Sequence, residues 1–384
     1  AKERGDRRVV EERDREAALV EVEQVADAVV GHGAMMAPSV GQVREEERHV
    51  KPRYTEVAAA PRTAPVGTPS RPVPLIVDCD PGLDDALAIG LAVARPEIDL
   101  LAVTTVGGNA DVGHCTENAL RLLALYGAPG VPVAEGAAGP LSGAVVRATE
   151  VHGTGGIGRT QLAPSPASPR PEGAVELIAR ILRDHPAPVA IAPIGPLTNV
   201  ALLLREHPGL AGRISHLAIM GGSIGEGNRT VSAEFNIYAD PEAADVVFRS
   251  GVPITMMGLD VTHQASLSLA ATARLRAVGT RSAEVAAELV EFAIEQVGRW
   301  YGGDATAIHD AVAVIHLAVA DLVAVADYDV RVETGDGPAR GRTVCDGMPL
   351  RLARDGRTPN AQVGIELDGS RFESLLRESF AALP

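Results

Sequence analysis

Four carboxylate side chains lie within eight residues, directly after an apolar run. Neighbouring carboxylates repel each other and burial strengthens the repulsion, so this spacing predicts a positive group among them. Helix capping would use only one or two of the four. Clustered oxygen ligands suit a hard cation such as Ca²⁺ or Mg²⁺, and no matching set of Cys and His residues indicates zinc. The four are Asp78, Asp80, Asp84 and Asp85, and the apolar run ends at Val77.

Two further polar segments follow predicted elements later in the chain. The first begins at Met220 with Gly-Gly-Ser and continues through Asn228 to Glu234 and Asn236. Its amides and carboxylate suit several hydroxyl groups of a ligand, although glycine-rich loops with Asn are commonly just turns. The second segment is the pair His309–Asp310 at the start of a helical pattern, where a helix cap is an equally good interpretation.

The composition limits the classes of function. The 384 residues carry a net charge of −15, with 46% hydrophobic and 22% charged residues, which is typical of a globular protein. This acidic balance, without a basic block, disfavours nucleic acid as a partner. The apolar runs are too short to span a membrane. Three widely spaced cysteines indicate neither a disulfide framework nor a zinc site, so a reducing, cytoplasmic location is predicted.

Residues 1–72 differ in composition from the rest of the chain. Mixed charges are followed by a stretch rich in Pro, Ala and Thr, and Tyr54 is the only aromatic residue. Such a segment buries little apolar surface, which predicts a disordered extension. It shows no signal-peptide pattern. Residues 73–384 are predicted to form the folded domain.

Apolar strand patterns alternate with helical patterns from Val73 onward. The predicted fold is therefore α/β: an open, mostly parallel Rossmann-like sheet flanked by helices, with additional C-terminal helices and short strands. Ligands of such sheets bind at the carboxyl ends of the strands, where the polar segments lie. The strands of the parallel sheet are predicted at residues 73–77, 100–106, 189–192, 217–220 and 254–257.

The three polar segments together resemble the nucleoside hydrolase family, the inosine-uridine-preferring type. The stretch from Asp78 to Asp85 is similar to the amino-terminal signature of that family, and the resemblance continues in order over residues 73–384. Residues 1–72 have no counterpart, so 73–384 would be the catalytic domain. Other similar segments are Val106–Asn109, His152–Gly153, Ile194–Asn199, Met220–Gly222, Glu234–Asn236, Asp260–Thr262 and His309–Asp310.

The resemblance implies a tightly bound Ca²⁺. Its ligands would be Asp80, Asp85, Asp310 and the backbone carbonyl of Ile194. Asp80 would also act as the general base toward the attacking water. His309 occupies the position credited, in the purine-accepting members, with protonating the departing base. An unperturbed histidine titrates near 6.5, which would suit that role.

The resemblance also implies the contacts to substrate. Asp84 would face the ribose 2′-hydroxyl, and His152 would lie near the base. Asn228, Glu234 and Asn236 would hold the remaining ribose hydroxyls, whereas Asn109 and Met220 would line the pocket.

The implied function is calcium-dependent hydrolysis of the N-glycosidic bond of purine or pyrimidine ribonucleosides, giving free base and ribose. The implied assembly is a homodimer or homotetramer. Two alternatives keep the same site: a hydrolase of a modified nucleoside, and a catalytically silent nucleoside-binding protein. A third, a haloacid-dehalogenase-like phosphatase suggested by Asp78-Cys79-Asp80, needs a supporting lysine, and no lysine follows Lys51.

Overall fold

The structure, a computed structural model, describes residues 71–384, with the side chains of Trp300 and Tyr301 excepted. The prediction of a disordered extension over residues 1–72 therefore falls almost entirely outside the described part of the chain. No helix within residues 71–384 is long and apolar enough to cross a bilayer.

A nine-stranded sheet forms the centre of the described residues, in the order β10-β9-β11-β6-β5-β4-β1-β2-β3. Pairing is parallel from β11 through to β3, whereas β9 is antiparallel to both β10 and β11. β7 and β8 form a separate antiparallel pair. The strands are β1 (Val73–Cys79), β2 (Ile98–Thr105), β3 (Val133–Glu135), β4 (Val189–Pro193), β5 (Ile214–Met220), β6 (Ile254–Met257), β7 (Ser266–Ser268), β8 (Ala305–Ala307), β9 (Val323–Val332), β10 (Thr343–Asp346) and β11 (Ala361–Leu367).

Helices cover both faces of the sheet, because alternate side chains of each strand point to opposite faces. In β1, Leu75 and Val77 join one buried apolar cluster, and Ile76 joins the other. The helices are α1 (Asp85–Ala94), α2 (Val112–Leu125), α3 (Thr149–His152), α4 (Ala174–Asp184), α5 (Thr198–Glu206), α6 (Phe235–Ala239), α7 (Pro241–Phe248), α8 (Leu259–Thr262), α9 (Leu269–Arg276), α10 (Arg281–Tyr301), α11 (His309–Ala318), α12 (Pro349–Arg354) and α13 (Gly369–Ala381).

The chain reverses its direction of travel across the sheet next to β1. It proceeds from β1 to β2 and β3 on one side, then returns to β4 and continues to β5 and β6 on the other side. The loops after β1 and β4 therefore diverge, which opens a crevice at the carboxyl ends of these strands. The predicted α/β fold with a mostly parallel sheet is confirmed.

The longest strand, β9, was not predicted from the sequence. Its residues do not alternate cleanly between buried and partly exposed positions, and Asp327 and Asp329 interrupt its apolar pattern. Its position beside β11 is fixed instead by antiparallel pairing with residues that follow it in the chain.

Candidate active site

A cavity of about 780 Å³ opens at the carboxyl ends of the strands that flank the crevice. Ten of the twelve site residues predicted from the sequence line it. The other two, Asp80 and Asp85, are buried and contact its lining. The ten are Asp84, Asn109, His152, Ile194, Met220, Asn228, Glu234, Asn236, His309 and Asp310.

Asp85 fixes the turn between β1 and α1. Its Oδ1 accepts a hydrogen bond from the backbone N–H of Asp80 at 3.2 Å, and its Oδ2 accepts one from Gly82 at 2.8 Å. The side-chain amide of Asn109 also donates to Asp85 Oδ2, at 3.0 Å. These contacts are local to one strand–helix turn, except for Asn109, which enters from the end of β2.

Asp80 is enclosed on two sides by backbone. Its Oδ2 accepts a hydrogen bond from the N–H of Asn109 at 2.6 Å. A Cβ atom at Gly108 would lie 2.1 Å from that oxygen, and one at Gly195 would lie 2.5 Å from Oδ1. Only glycine allows both loops to approach the carboxylate this closely. The other oxygen, Oδ1, is buried and has no hydrogen-bond partner among the described residues.

The densest group of carboxylate oxygens comes from Asp84, Asp85 and Asp310, whose oxygens lie within 4.8 Å of one another. At this separation of Asp85 and Asp310, either one carboxyl group holds a proton or a cation offsets the two charges. Burial raises the pKa of Asp85 to about 7. Burial and the neighbouring carboxylates also raise the pKa values of Asp80 and Asp310.

These residues fit a hard divalent cation. Every donor is an oxygen, Asp80, Asp85 and Asp310 are buried and Asp84 is half-buried, and Oδ1 of Asp80 has no partner within residues 71–384. The Ile194 carbonyl lines the cavity and accepts one hydrogen bond, from Asn236 Nδ2 at 2.8 Å, which leaves a second lone pair. Asp84, which was predicted to contact the ribose, also belongs to one group of carboxylate oxygens with Asp85 and Asp310.

Helix capping does not account for these carboxylates. α11 begins at His309, its N-cap residue is Ile308, and no side chain caps it. Asp84 occupies the N-cap position of α1 but makes no side-chain capping hydrogen bond. The capping interpretation of His309–Asp310 is therefore wrong, and the carboxylates of Asp84 and Asp310 are directed at other groups.

The polar segment after β5 is held by its own hydrogen bonds. Glu234 caps α6, accepting from the N–H groups of Asn236 and Ile237, and also accepts from Gly222. Burial raises the pKa of Glu234 to about 7. Asn236 donates to the carbonyls of Ile194 and Met220, and Asn228 accepts from the N–H of Phe235. These bonds leave Nδ2 of Asn228 and Oδ1 of Asn236 for a ligand. The glycines of this segment alone would suggest an ordinary turn, but its hydrogen bonds hold polar side chains against the cavity.

Two histidines line the cavity with defined ring contacts. The backbone N–H of Leu83 donates to His152 Nδ1 at 3.1 Å, so that nitrogen is unprotonated and the ring proton lies on Nε2. His309 Nδ1 lies 2.7 Å from Thr262 Oγ1. Burial lowers the pKa of both rings, that of His309 to about 4. His309 is therefore neutral at pH 7, which differs from the unperturbed titration assumed from the sequence.

The sequence analysis missed several residues that line the cavity. One face of α10 contributes Leu289, Val290, Ala293 and Gln296. Gln296 is buried, and its Oε1 accepts a hydrogen bond from Arg299 Nη1 at 3.0 Å. The helical spacing of these residues was visible in the sequence, but a helix has two long faces, and only packing shows which one meets the cavity.

Further charged residues line the cavity; Arg229 and Glu150 were not named in the sequence analysis, whereas Asp260 belongs to a segment that resembles the family. Arg229 and Glu150 both line it and form an ion pair at 2.5 Å between the segment after β5 and α3. Asp260 lines it as well and accepts hydrogen bonds from the N–H groups of Ile224 and Gly225.

Comparison with known proteins agrees with this geometry. Residues 75–374 match the family described as inosine-uridine preferring nucleoside hydrolase. The pyrimidine-specific ribonucleoside hydrolase RihA of Salmonella arizonae is 43% identical over 308 residues, which cover 80% of this chain and 97% of the relative. The same enzyme of Citrobacter koseri is 43% identical over 311 residues, covering 80% and 98%.

Solved structures give the same result. The purine-preferring ribonucleoside hydrolase from Gardnerella vaginalis superposes with a TM-score of 0.74 at 33% identity, covering 80% of this chain and 98% of that one. A plant nucleoside hydrolase, PpNRh1, superposes with a TM-score of 0.76 at 31% identity, covering 81% and 99%. The resemblance inferred from the sequence is thus confirmed. The chain belongs to the inosine-uridine preferring nucleoside hydrolase family and is a ribonucleoside hydrolase, an enzyme that cleaves N-glycosidic bonds.

Proposed function

We propose that this enzyme hydrolyses pyrimidine ribonucleosides in preference to purine ribonucleosides, and that it depends on a Ca²⁺ ion held at the carboxylate cluster. The observation that carries the metal proposal is the close group of buried Asp85 and Asp310 with half-buried Asp84, with the unpartnered Oδ1 of Asp80 nearby. Like charges concentrated at a buried site require a counter-charge, and an all-oxygen donor set suits calcium. The ligands proposed are Asp80, Asp85, Asp310 and the Ile194 carbonyl.

The reaction proposed passes through an oxocarbenium-like ribosyl transition state. A bound divalent cation supplies a water of lowered pKa at a fixed position. Asp80 accepts a proton from the attacking water through its unpartnered oxygen. Asp84 accepts a hydrogen bond from the ribose 2′-hydroxyl, and the glycosidic electron pair leaves with the base.

The remaining residues bind and orient the substrate. Asn228, Glu234 and Asn236 take the other ribose hydroxyls. Asn228 accepts a hydrogen bond from the Phe235 N–H and Glu234 accepts one from the Asn236 N–H, which holds these side chains in position before substrate arrives. Asn109 keeps Asp80 and Asp85 in place through its backbone and side-chain amides. At the other end, the imidazole rings of His152 and His309 donate hydrogen bonds to the departing base.

Removal of calcium is expected to abolish turnover and to lower the melting temperature. A ligand present at 100 times its Kd stabilises the folded state by about 2.7 kcal/mol. Dialysis against EDTA, followed by thermal unfolding and a uridine assay with and without added Ca²⁺, measures both effects. Glu206→Ala is the matched control. It disrupts the other close group of metal-ligating side chains in residues 71–384, the largely exposed Glu176, Glu206 and His207, and should leave the calcium response unchanged. A protein whose turnover and melting temperature ignore EDTA would contradict the metal proposal.

The base preference rests on the relatives. The curated proteins at 43% identity are named pyrimidine-specific, whereas the Gardnerella vaginalis protein at 33% is named purine-preferring. The higher identity favours pyrimidines. In this cavity, the aliphatic face of α10 and the amide of Gln296 offer an apolar wall with one hydrogen-bonding group, which suits a small base.

A substrate panel tests this preference. The kcat/KM values for uridine and cytidine are expected to exceed that for inosine by about tenfold or more, equivalent to about 1.4 kcal/mol of transition-state binding. Uridine should also be hydrolysed faster than 2′-deoxyuridine, because Asp84 and the cation would both contact the 2′-hydroxyl. Faster turnover of inosine would show a purine preference. Equal rates for uridine and deoxyuridine would remove the role given to Asp84.

The cytoplasmic location, the part in nucleoside salvage and catabolism, and assembly as a homodimer or homotetramer stay predictions from the sequence. So does the disordered state of residues 1–72. Sedimentation of the full chain and of a chain beginning at Arg71 would test two of these predictions, the oligomeric state and the disordered state of residues 1–72.

A further inference from the structure

The short helix α8 and the residue after it meet the candidate active site through three side chains, those of Asp260, Thr262 and His263. Asp260 holds the backbone of Ile224 and Gly225, next to the substrate-binding segment. Thr262 contacts the ring of His309. The ring of His263 packs edge-on against the same ring, with centroids 5.4 Å apart and planes at 66°. The segment Asp260–Thr262 was named in the sequence analysis only for its resemblance to the family. In the structure, this segment and the next residue contact His309, the side chain proposed to act on the base.

The hydroxyl group of Thr262 forms a hydrogen bond with the ring of His309. Thr262 is fully buried, and within residues 71–384 its Oγ1 makes a single hydrogen bond, with His309 Nδ1 at 2.7 Å. This distance is short enough for a strong bond. The backbone N–H of Thr262 is already used by the Gly258 carbonyl, so the residue itself is firmly placed.

Either Thr262 Oγ1 or His309 Nδ1 could donate this hydrogen bond. The two directions differ in which buried polar group is left without a partner. If Nδ1–H donated to Oγ1, the hydroxyl proton of Thr262 would be buried without an acceptor, at a cost of about 1–3 kcal/mol. If the hydroxyl donates to Nδ1, only oxygen lone pairs remain unfilled. An incompletely used acceptor is tolerated better than an orphaned donor. The second arrangement leaves Nδ1 as the acceptor and the ring proton on Nε2, the ring nitrogen of His309 that Thr262 does not engage, and His309 lines the cavity.

We propose that Thr262 is a positioning residue for the hydrolytic reaction, which donates a hydrogen bond to His309 Nδ1 and thereby directs an Nε2–H donor at the departing base. The inference rests on the proposed role of His309. Thr262 itself is fully buried and is not among the residues that line the cavity. It fixes the tautomer and the orientation of the ring, as the partner of a catalytic histidine does in other hydrolases.

Thr262→Val tests this directly, because valine keeps the shape of the side chain and removes the hydroxyl. The kcat for uridine should fall about tenfold or more, whereas kcat for 4-nitrophenyl riboside, whose leaving group needs no hydrogen bond, should stay within about twofold. Thr262→Ser should restore uridine turnover. Equal slowing of both substrates by Thr262→Val, or no slowing at all, would overturn the proposal.

A second measurement separates this inference from the proposed function. In protein with ¹⁵N-labelled histidine, the His309 signals should show an unprotonated Nδ1 in the wild type and in Thr262→Ser. Thr262→Val should lose that single tautomer. A protonated Nδ1 in the wild type would overturn the inference, whatever the kinetics. If the tautomer is as proposed but His309→Ala slows both substrates equally, the assignment of His309 to the base fails instead. If Thr262→Val does not fold, the protonation of His309 Nδ1 in the wild type and in Thr262→Ser still tests the inference.

Discussion

Replacement of Asp310 by alanine is expected to reduce ribonucleoside turnover by a factor on the order of 10³ or more, since positioning and electrostatic stabilisation are lost together. The same variant should lose its calcium. Asp310 is one of three carboxylates whose oxygens lie within 4.8 Å, and it is the one that reaches the cluster from a distant part of the chain. The measurements are kcat/KM for uridine and the calcium content of the purified protein.

The stability of the same variant gives an independent check. Asp310 caps no helix, and burial next to Asp84 and Asp85 raises its pKa. Its removal should therefore leave the calcium-free protein folded, with an unfolding midpoint no lower than that of the wild type. A helix cap would instead cost about 1 kcal/mol and spare activity. Asp245→Ala, which removes a half-buried carboxylate paired with Arg249 away from the cavity, is the control for losing one negative charge. Asp310→Ala protein with normal calcium and normal turnover would refute the metal site.

Replacement of His309 by alanine is expected to slow hydrolysis of inosine and uridine by about 10²–10⁴-fold while sparing 4-nitrophenyl riboside. A nucleoside base is a poor leaving group and needs a hydrogen-bond donor, whereas nitrophenolate leaves as a stable anion. The ring of His309 lines the cavity and is held by Thr262, so it is placed to serve as that donor. Parallel assays of the three substrates on one variant measure the difference.

Asp80→Ala is the matched variant for this comparison. It should slow the nitrophenyl substrate as severely as the nucleosides, because every substrate needs the activated water. Equal losses on all three substrates in His309→Ala would mean that His309 acts only through its neighbour Asp310. A large loss on inosine with little on uridine would assign the departure of pyrimidines to His152, whose Nε2 also carries the ring proton.

Much of the carboxylate cluster was predictable because its parts are close in sequence. Asp78 to Asp85 occupy one strand–helix turn, so a local pattern suffices to bring Asp80, Asp84 and Asp85 together. The parallel sheet was predictable for a similar reason, since apolar strands that alternate with amphipathic helices have few ways to bury both faces. The strand β9 could not be predicted in this way, because its buried and exposed residues do not alternate regularly.

The sequence by itself determined the family, the fold class and ten of the residues that line the cavity. The tertiary structure decided which side chains these residues contact. It placed Asp84 in the trio with Asp85 and Asp310, used both amides of Asn109 to hold carboxylates, and joined Thr262 to His309 across 47 positions of sequence. It also selected the face of α10 that meets the substrate cavity. Such contacts depend on the order of the strands and on which helix face packs inward, and neither is encoded by the spacing of residues within one segment.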